Sequence, residues 1–290
     1  MSKLSSAVCA AACLMSLSSP SWSAEAVRSA DIAKRGLKAA DFPLTKQLVP
    51  GVFAHEDLLT SAGVTFTTDS LIVVTRDGVV VVDGQDSVPQ VQAMISAIKK
   101  LTPQPIKYVV IASDHVDHVG GNAAFKAAYP DVVFVSSPAS QKVLEKNPNP
   151  PTETVADKRS LHLGSTDIDI LNLGRGHTGG DLAVYLPQSK VLFLGELYLH
   201  QVFPAMITAY PSEWVATIKK AQGMDVSWYV PGHGFVDDMA TLRADLDESR
   251  KATELVISEA KRLRGRPDWP VPMKKIAPPP PKPIGAHMET

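Results

Sequence analysis

Four short stretches of the sequence carry side chains that can bind a metal ion. They read SDHVDH (113–118), GRGHTGGD (174–181), LGEL (194–197) and PGHG (231–234). Imidazole nitrogens and carboxylate oxygens are the usual protein ligands of zinc and related divalent ions. A single histidine beside glycine is more often an ordinary loop residue, and a single glutamate is more often solvated or salt-bridged. The prediction of a metal site therefore depends on all four stretches occurring in one chain.

Each stretch lies at or just beyond the end of a predicted β-strand. The strands are the runs IKYVVIAS (106–113), DIDILNLG (167–174), KVLFLGEL (190–197) and SWYVPGHG (227–234). Strands hold the frame of a sheet protein while the loops beyond them vary, so ligands at neighbouring strand ends can meet at one site. The pattern therefore predicts a metal site at the edge of a sheet.

The rest of the chain alternates between strands and helices. LIVVTRDGVVVVDGQ (71–85) is two β-branched runs joined by an Asp-Gly turn, which predicts a hairpin. Apolar spacing predicts helices at 89–101, 122–128, 138–146 and 212–223 with Ser212 as N-cap, a long helix from Asp237 or Asp238 to about Arg264, and further strands at 132–137 and 182–187. The two halves have a similar order, which predicts an α/β fold with two sheets face to face and helices outside.

Both ends of the chain differ from the region between them. Residues 1–26 contain Lys3, a short apolar stretch (7–17) and small residues, which is the pattern of a signal peptide cleaved after Ser23 or after Ala26. The apolar stretch is too short to span a bilayer, so no stable membrane insertion is expected after cleavage. Export to the periplasm or the medium is predicted, and a lipoprotein modified at Cys13 is the less favoured alternative. The proline-rich segment 267–290 is predicted to be a disordered tail.

Composition favours one domain over residues 27–266. A net charge of −1 provides no basic surface for a phosphate backbone, so nucleic acid is not an expected partner. Cys9 and Cys13, the two cysteines of the sequence, both lie in the predicted signal peptide, so no disulfide is expected in the mature chain. Its stability must come from the apolar core, with a contribution from metal.

Taken in order, these stretches resemble a known family. SDHVDHVGGN resembles the HxHxDH signature of the metallo-β-lactamase superfamily, and GRGHTGGD, FLGEL and PGHG resemble the later ligand motifs of that superfamily. The resemblance covers about residues 50–240. It implies an αββα sandwich of two mixed sheets with helices on the outer faces and the site at the sheet edges.

The resemblance also implies a role for each matching residue. His115 and His177 match ligands of a first zinc ion, whereas Asp117, His118 and His233 match ligands of a second. Glu196 stands where hydrolases of the superfamily usually have a bridging aspartate. One or two Zn²⁺ ions are therefore the expected cofactor, with the second site the tighter one. Asp117 is also expected to orient the attacking nucleophile and to carry a proton.

Ser113 departs from the signature because it stands at the first histidine. A neutral hydroxyl is a poor zinc ligand, so the first site is expected to bind weakly, and Ser113→His is expected to raise its zinc occupancy. Ser113 either opens space or hydrogen-bonds a metal-bound water.

Four further residues have two interpretations each. Asp83 and Asp181 either support the ligands from outside or cap turns. Tyr198 and His200 either belong to a loop that contacts substrate or pack in the core, and His200 is an alternative extra ligand.

The leading functional hypothesis is an exported zinc-dependent hydrolase of a small molecule. Metal-bound hydroxide would attack the carbonyl of an amide, ester, lactone or thioester, with a β-lactam among the candidates. The alternatives are an iron-dependent oxidoreductase of the same fold and a non-catalytic metal-binding protein. The sequence leaves the oligomeric state open.

Overall fold

A computed structural model of the protein describes residues 29–61 and 63–264. The predicted signal peptide and the predicted proline-rich tail lie outside the described residues, so both stay predictions. Within the described part of the chain, none of the helices combines the length and apolar character that crossing a bilayer requires.

The described residues form a twelve-stranded sheet and a set of α-helices. The strands are β1 Leu44–Val49, β2 Val52–Ser61, β3 Val64–Thr75, β4 Gly78–Val82, β5 Ile106–Val110, β6 Val133–Ser136, β7 Glu153–Thr154, β8 Lys158–Leu163, β9 Thr166–Leu171, β10 Ala183–Leu186, β11 Val191–Leu199 and β12 Trp228–His233. The helices are α1 Val88–Leu101, α2 Val116–Val119, α3 Ala123–Ala128, α4 Pro138–Val143, α5 Pro211–Gln222 and α6 Met239–Arg264.

The sheet consists of two halves that are joined at one narrow contact. The first half contains β1 to β7, and the second half contains β8 to β12. Its order is β7-β6-β5-β4-β3-β12-β11-β10-β9-β8, with β2 also pairing β3, and β1 pairing β2. Strands β4 to β7 pair in parallel, as do β11 and β12, whereas the other pairs are antiparallel, so both halves are mixed. The halves meet at a single residue pair between β3 and β12, Thr68 with His233. A predicted ligand therefore lies where the two halves join.

The apolar core lies between the two halves and continues on their outer faces. In β4, Val80 and Val82 belong to the core shared with the second half, whereas Val79 and Val81 pack in a separate cluster with α1. A strand buried on both faces needs a continuous apolar run, which explains the GVVVV sequence of β4. Side chains on one face of β4 therefore pack between the two halves, and those on the other face pack against α1.

Helices cover the outer face of each half. Val91, Met94 and Ile98 of α1 are buried against the first half, at the helical spacing predicted from the sequence. Leu242 and Leu246 of α6 are buried against the second half, beside α5. The predicted αββα sandwich is confirmed.

Predicted helix bounds differ from the structure at the end of α4, which is Val143 and not 146, and at the starts of α5 and α6. Helix α5 begins at Pro211 after the N-cap residue Tyr210, so the assignment of Ser212 as N-cap is wrong. Proline is favoured in the first helical turn because its missing N–H is not needed there. Helix α6 begins at Met239, and Asp238 accepts hydrogen bonds from the amides of Ala240 and Thr241, as a capping residue does.

Gly234, the residue after β12, allows a close backbone approach beside His233. Its φ is +86°, and a Cβ there would lie 1.9 Å from the carbonyl oxygen of His200. Gly36 has a similar φ of +70° but no atom within 4 Å of its virtual Cβ. We expect Gly36→Ala to cost roughly 1–2 kcal/mol for the left-handed backbone alone. Gly234→Ala should cost roughly a further 1–3 kcal/mol because atoms must also be displaced.

Chemical denaturation of metal-free Gly36→Ala and Gly234→Ala measures the difference between their free energies of unfolding. Equal destabilisation by both substitutions would show that the contact between Gly234 and His200 does not constrain the fold.

Candidate metal centre

The predicted ligands come from four separate parts of the fold. His115 immediately precedes α2, and Asp117 and His118 lie within that short helix, shortly after β5. His177 lies in the loop between β9 and β10, and His233 is the last residue of β12. These placements agree with the expectation that ligands follow strand ends.

Glu196 is an exception because it lies inside β11 and not at its end. The register of β11 against β12 shifts between Phe193 and Gly195 and again before Leu199. Such irregularities bend a strand and redirect a side chain, and they are common beside functional sites. The bulged pairing around Gly195 thus places the Glu196 carboxylate among ligands from other strands.

The structure brings the six predicted ligands into two groups that could each hold a metal ion. We call His115, His177 and Glu196 the first group, and Asp117, His118, His233 and Glu196 the second group. Within each group the candidate ligand atoms lie within 4.8 Å of one another. Glu196 is the member common to both.

The two oxygens of Glu196 have different neighbours. Oε2 lies 2.7 Å from Nδ1 of His115. Oε1 lies 3.4 Å from Nε2 of His233, 3.5 Å from Nε2 of His177 and 3.7 Å from Nε2 of His118. Burial alone would raise the pKa of this carboxyl group, but hydrogen bonds from His115, His118 and His233 hold it well below its usual range. Glu196 is therefore an anion in the metal-free protein.

The second group places two imidazoles and a carboxylate around one point. Nε2 of His118 and Nε2 of His233 lie 3.3 Å apart, and Oδ2 of Asp117 lies 3.1 Å from Nε2 of His233. Burial alone would lower the pKa of His233, but hydrogen bonds with Asp117 and Glu196 raise it to about 9. The pKa of His118 is also raised well above its usual value, because Asp117 and Asp83 outweigh the effect of burial. Without a metal ion, protons on these histidines balance the carboxylates.

The donor set fits a divalent metal ion such as zinc. The groups combine imidazole nitrogens with carboxylate oxygens, the mixture that zinc binds in proteins. Among the described residues, neither Asp117 nor Glu196 pairs with a lysine or an arginine, and their ion-pair partners are histidines. A cation at each group would therefore compensate charge that the protein itself compensates only by protonating imidazole.

Ser113 contacts a ligand directly. Its hydroxyl donates a 2.7 Å hydrogen bond to Oε2 of Glu196, and the residue is fully buried. The sequence predicted either open space or a bond to a metal-bound water. The structure instead shows a hydrogen bond to the carboxylate that both groups share.

Asp83 supports a ligand from behind the second group. Its Oδ2 lies 3.1 Å from Nδ1 of His118, on the opposite side of the ring from the other ligands. Its Oδ1 accepts a 2.6 Å hydrogen bond from the amide of Ala112. Asp83 also has a φ of 60°, an uncommon conformation for a residue other than glycine. The arrangement orients His118 with Nε2 towards the second group.

Asp181 supports the loop that carries His177, and does not reach a ligand itself. Its Oδ2 accepts a 2.9 Å hydrogen bond from the amide of Thr178, and its Oδ1 accepts one of 2.5 Å from the Thr178 hydroxyl. Burial raises the pKa of Asp181 to about 7. Its contacts match the turn-capping interpretation.

Tyr198 and His200 were predicted as possible members of a substrate loop, and the structure places them elsewhere. Tyr198 lies within β11 and is fully buried, with its hydroxyl bonded to the carbonyl of Leu242 and to Asp245. His200 is 1% exposed and lies 2.9 Å from Asp245 and 3.1 Å from Asp237. Both residues anchor the segment around α6, so neither the substrate contact nor an extra ligand at His200 is supported. Tyr198 packs in the apolar core, whereas His200 is buried between the carboxylates of Asp237 and Asp245.

Two contacts of the ligands were not predicted from the sequence. Nδ1 of His233 lies 3.1 Å from the backbone carbonyl of Thr67, which leaves Nε2 for the second group. The ring of Trp214 meets the ring of His177 edge to face at 5.4 Å, and its Nε1 donates to the carbonyl of Leu197. A backbone carbonyl has no signature in sequence. Trp214 occupies an apolar position of a predicted helix, so its sequence pattern indicates a core residue and gives no sign of a contact with His177.

Fold and ligand groups together define a class of metalloprotein, and comparison with known proteins shows which class it is. The family model of the metallo-beta-lactamase superfamily matches residues 63–233, more than half of the 290-residue chain. The chain belongs to the metallo-β-lactamase superfamily, which confirms the resemblance seen in the sequence.

Individual relatives agree with this assignment. The chain is 26% identical over 208 residues to a type 2 metallo-beta-lactamase of Bacillus sp. (strain 170), covering 69% of this chain and 80% of the relative. It is 26% identical over 174 residues to a hydroxyacylglutathione hydrolase of Brucella anthropi, covering 59% and 64%. A solved metallo-beta-lactamase structure from Pontibacter korlensis superposes with a TM-score of 0.67 at 25% identity, covering 73% of this chain and 99% of that one. Hydrolases are thus among the proteins most similar to this chain.

The raised histidine pKa values predict a pH dependence of metal binding. A metal ion binds neutral imidazole, so it must displace the proton that His233 holds up to a pH of about 9. Apparent zinc affinity should therefore rise with pH between 6 and 9, by about tenfold per pH unit for each proton displaced. Calorimetry in buffers of different ionisation enthalpy measures the protons released. An affinity that is flat across this range, with no proton release, would contradict the electrostatic account.

The contact between Asp83 and His118 predicts a supporting role that can be isolated. Asparagine tolerates the left-handed backbone of Asp83, so Asp83→Asn should keep the fold while removing the negative charge that lies 3.1 Å from Nδ1 of His118. We expect zinc affinity to fall by roughly 10–100-fold, the usual effect of losing such a partner.

Asp245→Asn is the matched control, since Asp245 is also a buried aspartate paired with a histidine but lies outside both groups. Zinc affinity of the control should stay within about twofold of the parent, because no ligand loses its support. Equal losses in the two variants, measured by competition with a chromophoric chelator, would refute a specific role for Asp83.

Proposed function

We propose that this protein is an exported zinc-dependent hydrolase that cleaves an amide, ester, lactone or thioester bond of a small molecule. The observation that carries the proposal is the position of Glu196 in both ligand groups. A carboxylate between two adjacent cation sites is typical of centres in which two ions act on one substrate. Membership of the superfamily and the hydrolases among the relatives support hydrolysis as the reaction class.

Zinc is the ion proposed for both groups. When bound, zinc polarises a carbonyl oxygen and lowers the pKa of water so that hydroxide is available near neutral pH. His115 and His177 would hold the first ion and His118, His233 and Asp117 the second, with Glu196 contributing to both.

Substrate access is proposed on the side of the centre where ligands are exposed. The side chain of His115 is 32% exposed and that of Asp117 is 13% exposed, whereas those of His118, His177, Glu196 and His233 are at most 4% exposed. A substrate carbonyl would therefore approach beside His115 and Asp117.

Asp117 is the residue proposed to handle protons. Burial would raise its pKa, but the charge of His118 and the hydrogen bond with His233 lower it to about 2. Asp117 is therefore ionised at neutral pH and can accept a hydrogen bond from a water molecule. Its Oδ2 faces His233 and the side chain is partly exposed, so the carboxylate can orient an attacking water and carry its proton to the leaving group.

The scissile bond is proposed only by class. The names of the relatives specify a β-lactam for one and hydroxyacylglutathione for another, so they support hydrolysis without selecting one substrate. Export is proposed from the sequence of residues 1–26, and it would place the enzyme where β-lactams act, outside the cytoplasm.

Replacing Asp117 tests the proposal against a neighbouring aspartate. Asp117→Ala should lower kcat/KM by at least about 100-fold on any substrate found in a panel of β-lactams, lactones and thioesters, because a ligand and a proton acceptor are lost together. Asp114→Ala is the control, since Asp114 lies three positions away and accepts a hydrogen bond from Ser140 outside both groups. Its kcat/KM should stay within about fivefold of the parent.

Metal analysis of protein purified without added metal separates the alternatives. Two zinc ions per chain and turnover that depends on Asp117 are the expected results. One iron per chain with oxygen uptake on a persulfide would instead identify the oxidoreductase. Bound metal without turnover of any panel member would favour a non-catalytic binding protein, and equal rates in parent and Asp117→Ala would refute the catalytic role of Asp117.

A further inference from the structure

We infer that Ser113 and Glu196 are a matched pair that rebuilds the first metal site without the first histidine of the family signature. In this arrangement Glu196 supplies an oxygen to each site, and Ser113 positions the oxygen that faces the first. The inference rests on the two-ion part of the proposed function. Ser113 is then a positioning residue, and Glu196 is the third protein ligand of the first ion.

One oxygen of Glu196 faces His115 of the first group, and the other lies between the two groups. Oε2 lies 2.7 Å from the hydroxyl of Ser113 and 2.7 Å from Nδ1 of His115. Oε1 lies 3.4 and 3.7 Å from the Nε2 atoms of His233 and His118, and 3.5 Å from Nε2 of His177 of the first group. A carboxylate has two oxygens with about four lone-pair sites, so it can accept one hydrogen bond and still face two cations. The Ser113 bond uses one site on the oxygen nearest His115.

The two side chains are in contact in a buried space, so the size of one limits the size of the other. Ser113 is fully buried and Glu196 is 4% exposed, and they are in direct contact, so neither can grow without moving the other. Serine is much smaller than the histidine of the signature, and glutamate is one methylene longer than the aspartate found in related hydrolases. The longer acid occupies the volume that the shorter residue leaves. The carboxylate oxygen thus lies where an imidazole at position 113 would have to fit.

The backbone around both residues prevents an easy rearrangement. The amide of Ser113 lies 3.4 Å from Oδ1 of Asp83, and that oxygen also accepts the amide of Ala112 at 2.6 Å. Opposite them, a Cβ on Gly195 would lie 3.2 Å from Cβ of Ala112, so β11 runs close against this loop. The Ala112–Ser113 segment is therefore held by Asp83 on one side and cannot move closer to β11 on the other.

This contact reverses the expectation drawn from the sequence for Ser113→His. With Glu196 in place, the imidazole must displace the carboxylate, so the substitution should weaken the first site. In Glu196→Asp the shorter acid withdraws from Ser113 and the first site again weakens. Combining Ser113→His with Glu196→Asp restores the family arrangement and should recover the site.

Metal titration of a double-mutant cycle tests the pair without relying on turnover. Co²⁺ is added to metal-free parent, S113H, E196D and the S113H/E196D double variant, and ligand-field absorption and ion stoichiometry are recorded. His177→Ala and His118→Ala serve as references, because His177 belongs only to the first group and His118 only to the second. The ion lost in His177→Ala defines the first site.

Each single substitution should weaken the first site by roughly 10–100-fold, the range for loss of a supporting contact. The double variant should return to within about fivefold of the parent, far from the product of the single effects. Effects that multiply independently would overturn the inference, and so would a parent that binds only one ion.

Ser113→Ala removes the hydroxyl without adding bulk, so it is decisive if S113H does not fold. It should weaken the first site by about tenfold and leave the second within about twofold. Ser140→Ala is its control, because Ser140 is also a buried serine bonded to a carboxylate, that of Asp114, outside both groups. Thermal unfolding of the metal-free proteins checks that each variant folds. First-site binding that is unchanged in Ser113→Ala would contradict the role of the hydroxyl.

The outcome separates this inference from the proposed function. Coupled metal affinities in a protein that hydrolyses no panel substrate would retain the matched pair and reject the hydrolase. Hydrolysis with two bound ions but independent effects of the two substitutions would retain the hydrolase and reject the matched pair.

Discussion

A carboxylate that is 4% exposed must have its charge compensated nearby, and Glu196 is surrounded for this purpose by imidazoles. The compensating histidines come from the segment after β5 and from the end of β12, whereas burial lowers the pKa of His177, in the loop between β9 and β10, to about 4 and keeps it neutral. No single segment could supply them. The carboxylate is satisfied only when both halves of the sandwich pack together, so the assembly of the fold and the assembly of the centre are one event. A cation at each group completes a compensation that protons on histidine provide in its absence.

A second histidine and carboxylate cluster in the same protein has a different character. His200 lies between Asp237 and Asp245, but Arg35 also pairs with Asp237, and the hydroxyl of Tyr198 bonds to Asp245. Other protein groups compensate the charges of that cluster and complete its hydrogen bonds, as expected of residues that hold α6 in place. At the metal centre no lysine or arginine of the described residues pairs with the shared carboxylate. This difference in compensation, more than the residue types, distinguishes a binding site from a structural network.

Regular elements were predicted well because their signals are local. The GVVVV run of β4, the apolar stripe of α1 and the Asp-Gly turn each depend on residues close in sequence. Strands β1, β2, β7 and β8 and the first part of β3 were not predicted. Thr68 and Ser70 of β3 are buried polar residues, and their environment comes from distant groups such as Gln85, whose side-chain amide donates to the Ser70 hydroxyl and to the Thr68 carbonyl. Burial supported by such long-range bonds leaves no apolar alternation to detect.

The sequence by itself determined the identity and order of the six candidate ligands, the family to which the chain belongs and the departure at Ser113. Those features are residue types at characteristic spacings, so they can be read without coordinates. Tertiary structure decided that Glu196 belongs to both groups, that Ser113 bonds to it, and that Tyr198 and His200 are buried away from the centre. The reason is physical: which atoms meet depends on a bulge in β11 and on how two packed sheets dock, and neither is encoded in the spacing of any one motif.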